Sequence, residues 1–180
     1  MTDIDYAILW WIQEHIVCDW LTPLMKFLST ANNHGTIWIL IALLLFCFKK
    51  TRYLGITVGI ALIVVTLLNN QIIKPLVLRP RPFTGAEINL LIPAPPDTSF
   101  PSGHTASSFA AAMTIFLKEK KLGAMAFALA ALIAFSRLYF FVHFPSDVFA
   151  GMLEGILVAV LITALADYFK KKVPSISGKL

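Results

Sequence analysis

Apolar and polar residues are segregated along this chain into long blocks. Four runs are nearly free of charge: 33–48, 53–73, 122–136 and 148–166, the last interrupted only by Glu154. A fifth, 104–117, is shorter and richer in small residues, yet it too lacks Asp, Glu, Lys and Arg. A bilayer core of roughly 30 Å takes about 20 apolar residues per helix, so these runs predict membrane segments. All five are expected to be helical, because open strands in lipid would leave backbone groups unpaired. The stretch 4–29 differs. Asp5, Gln13, Glu14, His15 and Asp19 interrupt it, and Trp10, Trp11 and Trp20 sit among them. Tryptophan settles at headgroup level, so one or two interfacial helices are predicted there. Asp3 and Asp5 stand where a signal peptide would carry basic residues. The expected fold is all-α, a polytopic membrane bundle of about five transmembrane helices, or six if 4–29 also crosses. A single domain is predicted over 1–180, with interfacial helices in 1–32 and the bundle in 33–172.

Composition agrees with the pattern. Of 180 residues, 58% are apolar and 14% charged, where a soluble domain carries about a quarter charged residues. Disulfide scaffolds, disordered tails and nucleic-acid-binding domains are therefore poor readings. The net charge of +5 does not change this, because the 15 basic residues are scattered between uncharged runs. Cys18 and Cys47 fall near opposite ends of the bundle and have no metal-ligand spacing.

The basic residues predict orientation. With five spans, Lys49, Lys50, Arg52, Lys118, Lys120, Lys121, Lys170, Lys171, Lys172 and Lys179 share one side, which the positive-inside rule makes cytoplasmic. Lys26, Lys74, Arg79, Arg81 and Arg137 fall on the outer side, where topology disfavours them. Their retention there calls for a chemical reason.

Three polar patches meet at those outer ends: Lys74 to Pro82, Pro101-Ser102-Gly103-His104, and Ser136-Arg137 followed by His143 and Asp147. Arg binds phosphate oxygens in a fork, and Lys adds a mobile point charge. Ser102 and Gly103 precede a helix, whose free N–H groups and dipole favour an anion. Pro145 suits the first position of the last helix, so Asp147 lies in its first turn and can orient the ring of His143. His104, on another helix, is placed to act as a general acid. Taken singly, membrane-flanking cations such as Arg79 and Lys26 read as snorkelling anchors, and His15 and His34 as interfacial side chains. Glu154 is costly in a bilayer, and a hydrogen bond to Asn69 or Asn70 is expected for it. Gly151-x-x-x-Gly155 permits close helix packing, within the bundle or in a dimer.

Lys74-x6-Arg81-Pro82, Pro101-Ser102-Gly103-His104 and Ser136-Arg137-x5-His143-x3-Asp147 resemble the three motifs of the type 2 phosphatidic acid phosphatase superfamily. The resemblance covers about 74–166. It implies that His143 is the nucleophile forming a phosphohistidine, Asp147 its orienting partner and His104 the acid. It assigns phosphate binding to Lys74, Arg81, Ser102, Gly103 and Arg137, with no metal or other cofactor and with inhibition by vanadate. Arg79 lies outside that pattern. The compact size, Leu91-Ile92-Pro93 with Asp97-Thr98-Ser99-Phe100, and the outward site are similar to bacterial undecaprenyl-diphosphate phosphatases. That makes undecaprenyl diphosphate the first substrate expected, ahead of phosphatidylglycerophosphate and phosphatidic acid. A non-catalytic lipid-phosphate transporter or scaffold is the reading from another class. The expected partners are a lipid phosphate and the surrounding lipid, not nucleic acid, and the sequence does not give an oligomeric state.

One length bears on substrate. From His104 to Leu117 is 14 residues, about 21 Å of helix, short of the roughly 30 Å core. A site sunk that far favours a phosphate carried on an apolar tail arriving sideways from lipid.

Overall fold

The computed structural model describes residues 2–172, so Lys179 of the orientation argument lies outside the described residues. Every apolar run becomes a helix. In chain order the helices are α1 (Thr2–His15), α2 (Thr22–Ala31), α3 (Thr36–Cys47), α4 (Arg52–Leu67), α5 (Lys74–Val77), α6 (Gly103–Lys118), α7 (Lys120–Tyr139) and α8 (Pro145–Lys172). No strand occurs among the described residues. Cys18 and Cys47 are both free thiols.

Three helical segments are long and apolar enough to cross a membrane: the one starting at Arg52, α7 and α8. The pair α2 and α3, bent by 53°, makes up to four. The N-terminal stretch therefore does not lie wholly apart from the bundle, since α2 runs into α3 across the turn Asn33–Gly35. The short, small-residue run forms α6, whose 16 residues fall short of a bilayer core. It packs on α4, α7 and α8.

Small residues explain that packing. Ala106, Ala110, Ala111 and Ala112 of α6 are buried. A Cβ on Gly151 of α8 would come within 2.6 Å of the Ser102 carbonyl, and one on Gly155 within 2.8 Å of the Ala110 nitrogen. The two glycines thus serve contact inside this bundle, where backbones approach too closely for any side chain. Glu154, between them, accepts a hydrogen bond from Asn69 Nδ2 at 2.8 Å, one of the two partners expected from sequence.

The tryptophans divide into two groups. Trp10, Trp11 and Trp20 are exposed, as headgroup anchors would be. Trp38 is fully buried, and its Nε1–H donates to Ser108 at 2.8 Å. On α1, Asp5, Leu9 and Ile12 lie on one buried face while Ile4, Ile8 and Trp11 are exposed. The spacing of that face is helical, so α1 covers the bundle with it.

Candidate active site

The first patch is built by a change of backbone. The helix opened by α4 widens into a π-helical turn over Leu68–Ile73, which brings Asn69 and Lys74 into buried positions. Pi turns of this kind often mark functional sites. After α5 the chain enters Arg79-Pro80-Arg81-Pro82. The residue before a proline is held extended, and Arg81 adopts φ −80, ψ 153. In extended chain, side chains two apart share a face. Arg79 and Arg81 accordingly reach the same neighbourhood one helical turn apart, Arg81 at His143 and Arg79 at Asp147.

His143 sits in the short connection between α7 and α8, 2% exposed. Arg81 Nη1 lies 3.1 Å from its Nε2. A guanidinium can only donate, so Nε2 accepts and the ring proton resides on Nδ1. Nδ1 faces Ser99 Oγ at 3.5 Å and Asp147 Oδ2 at 3.7 Å. Burial, with Arg81 and Arg137 adding to it, pushes His143 well below the usual imidazole range, against the opposing pull of Asp147. The ring is neutral at pH 7, with the lone pair of Nε2 on the Arg81 side.

Asp147 is fully buried. Its Oδ2 accepts from Ser99 Oγ and from the Phe144 N–H at 2.9 Å, and its Oδ1 from Arg79 Nη1 at 2.6 Å. Arg79 also donates to Ser146 at 2.7 Å and to Asp5 of α1 at 2.8 Å, with its guanidinium 4.1 Å from the centre of the Phe144 ring. It is therefore more than a snorkelling anchor. Removing one partner of a buried ion pair leaves the other charge uncompensated. Arg79→Ala is expected to destabilise the protein by about 3 kcal/mol and to slow it, as read from thermal unfolding and initial rates in detergent. Arg79→Lys should recover part of both.

His104 lies in the first turn of α6. Its Nε2 is 3.1 Å from the Ser29 carbonyl and 3.3 Å from Asn33 Oδ1. Both are acceptors in that geometry, so Nε2 carries a proton and Nδ1 is left for exchange. Arg137 is buried at the end of α7. One Nη1–H bonds to Ser29, while Nε has no protein partner among the described residues.

Lys74, Arg81, Gly103, His104, Arg137 and His143 line one cavity of about 940 Å³. The two other residues expected from sequence do not line it. Asp147 stands behind His143, and Ser102 is the N-cap of α6, its hydroxyl accepting from the Thr105 N–H at 3.4 Å. Capping occupies lone pairs only, so the Ser102 O–H proton stays free to donate. Lys26, by contrast, is exposed at the rim of the same cavity.

Several site residues escaped the sequence reading of the chemistry. Asp97 pairs with Lys74 and, at 2.7 Å, with Arg81. Burial opposes its ionisation, but the two cations prevail and hold it at about 2. Ser29, Asp5 and Ser99 came from segments with no recognisable chemistry of their own. The signals were the buried-face spacing of Asp5 in α1 and, for Asp97 and Ser99, their adjacency to the second patch and their place in the segment resembling undecaprenyl-diphosphate phosphatases, which named no role for either.

Three comparisons bear on this arrangement. A family model described as the PAP2 superfamily matches residues 50–171, which contain all eight expected site residues. The chain belongs to the PAP2 superfamily. It is 36% identical over 143 residues to an undecaprenyl-diphosphatase of Sulfolobus acidocaldarius, covering 78% of this chain and 68% of the relative. It is 32% identical over 154 residues to undecaprenyl-diphosphatase BcrC of Bacillus subtilis, covering 83% and 77%. The fold matches a transmembrane PAP2 phosphatidylglycerolphosphate phosphatase from Bacillus subtilis with a TM-score of 0.75 and 25% identity, over 93% of this chain and 86% of that one. This PAP2 protein is thus a multi-pass membrane phosphatase.

Proposed function

We propose that this PAP2 enzyme removes a terminal phosphate from a lipid diphosphate on the extracytoplasmic face, undecaprenyl diphosphate being the preferred substrate. The observation that carries the reading is the uncharged Nε2 of His143 in a cavity it shares with Lys74, Arg81, Arg137 and His104. A neutral imidazole among fixed cations suits attack on phosphorus, because the cations neutralise charge that builds on the transferred oxygens.

In the proposed course, the bound phosphate draws Arg81 Nη1 off Nε2 of His143 onto a phosphoryl oxygen, and the freed Nε2 lone pair attacks the terminal phosphorus. Nδ1–H faces Asp147, which stabilises the positive ring that forms. The lipid oxygen leaves with a proton from Nδ1 of His104. That nitrogen takes it up from solvent as the phosphate anion enters and favours the charged ring, while Nε2–H stays on Ser29. Water then hydrolyses the phosphohistidine and returns His143 to its neutral form. Lys74, Arg81 and Arg137 and the N–H groups at Gly103 hold the phosphoryl oxygens, Ser102 fixes the start of α6 from behind as its cap, and no step needs a cofactor.

The tail has a place as well. An apolar groove of about 600 Å³ runs between α3 and α4, lined by Ile39, Leu43, Phe46, Ile56, Leu62 and Ile63 among others. It shares His34, Gly35, Thr66 and Ser107 with the polar cavity, so headgroup and tail sites are continuous. The names of the two curated relatives favour undecaprenyl diphosphate, and the solved neighbour favours phosphatidylglycerophosphate as the second reading. The positive-inside pattern supports an outward site and a cytoplasmic C-terminus. Contributions of Asp5 and Ser29 to the site support folding of the described residues, 2–172, as one unit.

The test is phosphate release by purified protein in excess chelator from polyprenyl diphosphate, phosphatidylglycerophosphate and phosphatidic acid. Polyprenyl diphosphate is expected to give the highest kcat/KM. Fastest turnover of phosphatidylglycerophosphate would favour the second reading, and release from none of the three would refute the enzyme.

A further inference from the structure

We propose that Asp97 is an internal competitor for the phosphoryl group, which makes the site selective for phosphates bearing more than one charge. The inference rests on the reading of Lys74 and Arg81 as phosphate-binding groups.

The geometry is that of an anion already in place. The Asp97 carboxylate takes Lys74 Nζ on one oxygen and Arg81 Nη2 on the other, and its backbone carbonyl takes Arg81 Nε at 2.8 Å. A carboxylate oxygen and a phosphate oxygen make the same charge-assisted bond to a guanidinium N–H or an ammonium, here at Arg81 Nη2 and Lys74 Nζ. Donors engaged by Asp97 are therefore the donors a phosphoryl group must recruit. Among the described residues Arg137 gives no donor to an acid: its side-chain hydrogen bond is with the Ser29 hydroxyl.

Two features mark the carboxylate as displaceable. Its side chain is 48% exposed, whereas that of Asp147 is fully enclosed. A released Asp97 is rehydrated at once, while Asp147 has nowhere to go. The tether is also short. Asp97 is two residues from Ser99, whose N–H is fixed to the Arg79 carbonyl at 2.8 Å, and it follows Pro95 and Pro96. After displacement it stays beside the two cations and returns when phosphate leaves.

Charge decides which ligands displace it. A terminal phosphate or diphosphate carries about two or more negative charges and outweighs one carboxylate. The phosphodiester headgroups of bulk membrane lipid carry a single charge and match Asp97 without exceeding it. The enzyme can then sit in a sea of phosphodiesters without filling its own site.

The experiment compares wild type with Asp97→Asn, full chain in detergent, measuring inhibition of lipid-phosphate hydrolysis by vanadate, inorganic phosphate and phosphatidylglycerol. In D97N the Ki for vanadate and phosphate is expected to fall on the order of tenfold, the worth of one charge-assisted contact. KM should fall with it, and phosphatidylglycerol should become inhibitory. An unchanged or raised Ki overturns the proposal, since a residue that merely props Lys74 and Arg81 in place would weaken binding when lost. Should D97N not fold, a structure of the wild type with vanadate decides: Asp97 is expected free of both cations, and intact pairs beside bound vanadate overturn it. A wild type that neither hydrolyses lipid phosphates nor takes vanadate removes the proposed function as well, a result distinct from either of these.

Discussion

Replacing His143 with Ala is expected to reduce phosphate release by about four orders of magnitude or more while leaving a folded protein. Loss of a nucleophile that forms a covalent intermediate has effects of that size elsewhere. Here no second group can stand in: His104 is held on the backbone of Ser29, and Asp147 lies behind the cavity wall. The fold should persist because Arg81 keeps other partners. It donates to the Val142 carbonyl at 2.6 Å and to Asp97 through two groups, so truncation leaves a small void and no unpaired guanidinium. Wild type quenched in alkaline detergent while turning over labelled lipid phosphate should yield an acid-labile, base-stable phosphoprotein that H143A lacks. Retention of even a tenth of the activity by H143A would end the phosphohistidine reading.

Gly155→Leu is expected to prevent stable assembly of the bundle. Any Cβ there collides with the Ala106 carbonyl and lies 2.8 Å from the Ala110 nitrogen, both main-chain atoms of α6 that no side-chain rotation can move. Overpacking against flexible side chains costs about 1–3 kcal/mol, and a collision with backbone should exceed it. The harm reaches the site, because Ser102 N–H bonds to the Asp147 carbonyl at 3.1 Å where α6 and α8 begin. Pushing these helices apart would separate His104 from His143. The measurement is thermal unfolding in detergent, with Gly59→Ala as control: a Cβ at Gly59 meets nothing within 4 Å. Equal melting temperatures for G155L and G59A would contradict the packing account.

The convergence of the motif residues was legible because their polar side chains stand at helix ends, being disfavoured within a bilayer. Lys74, Arg81, Gly103, His104, Arg137 and His143 could be directed to one end of the bundle by counting spans, and they line one cavity. The Asn69–Glu154 contact was readable for a similar reason, since a carboxylate in a span must find a donor. Asp5 was not. In sequence it is an acid breaking an apolar stretch; in the fold it neutralises Arg79 from a helix 74 residues away. Arg79 itself reads as one more flanking cation until its two carboxylates are visible.

Hydropathy, basic-residue placement and three spaced motifs by themselves determined a helical membrane bundle with cations and histidines gathered at one end, because long apolar runs in lipid pair their backbone groups within a helix and charged groups are costly in hydrocarbon. The tertiary structure alone decided three matters: the Nδ1–H tautomer of His143, the pairing of Asp97 with Lys74 and Arg81, and the use of Gly151 and Gly155 inside the chain. Each depends on which groups from distant segments come within hydrogen-bond or van der Waals distance, and local sequence carries no record of that.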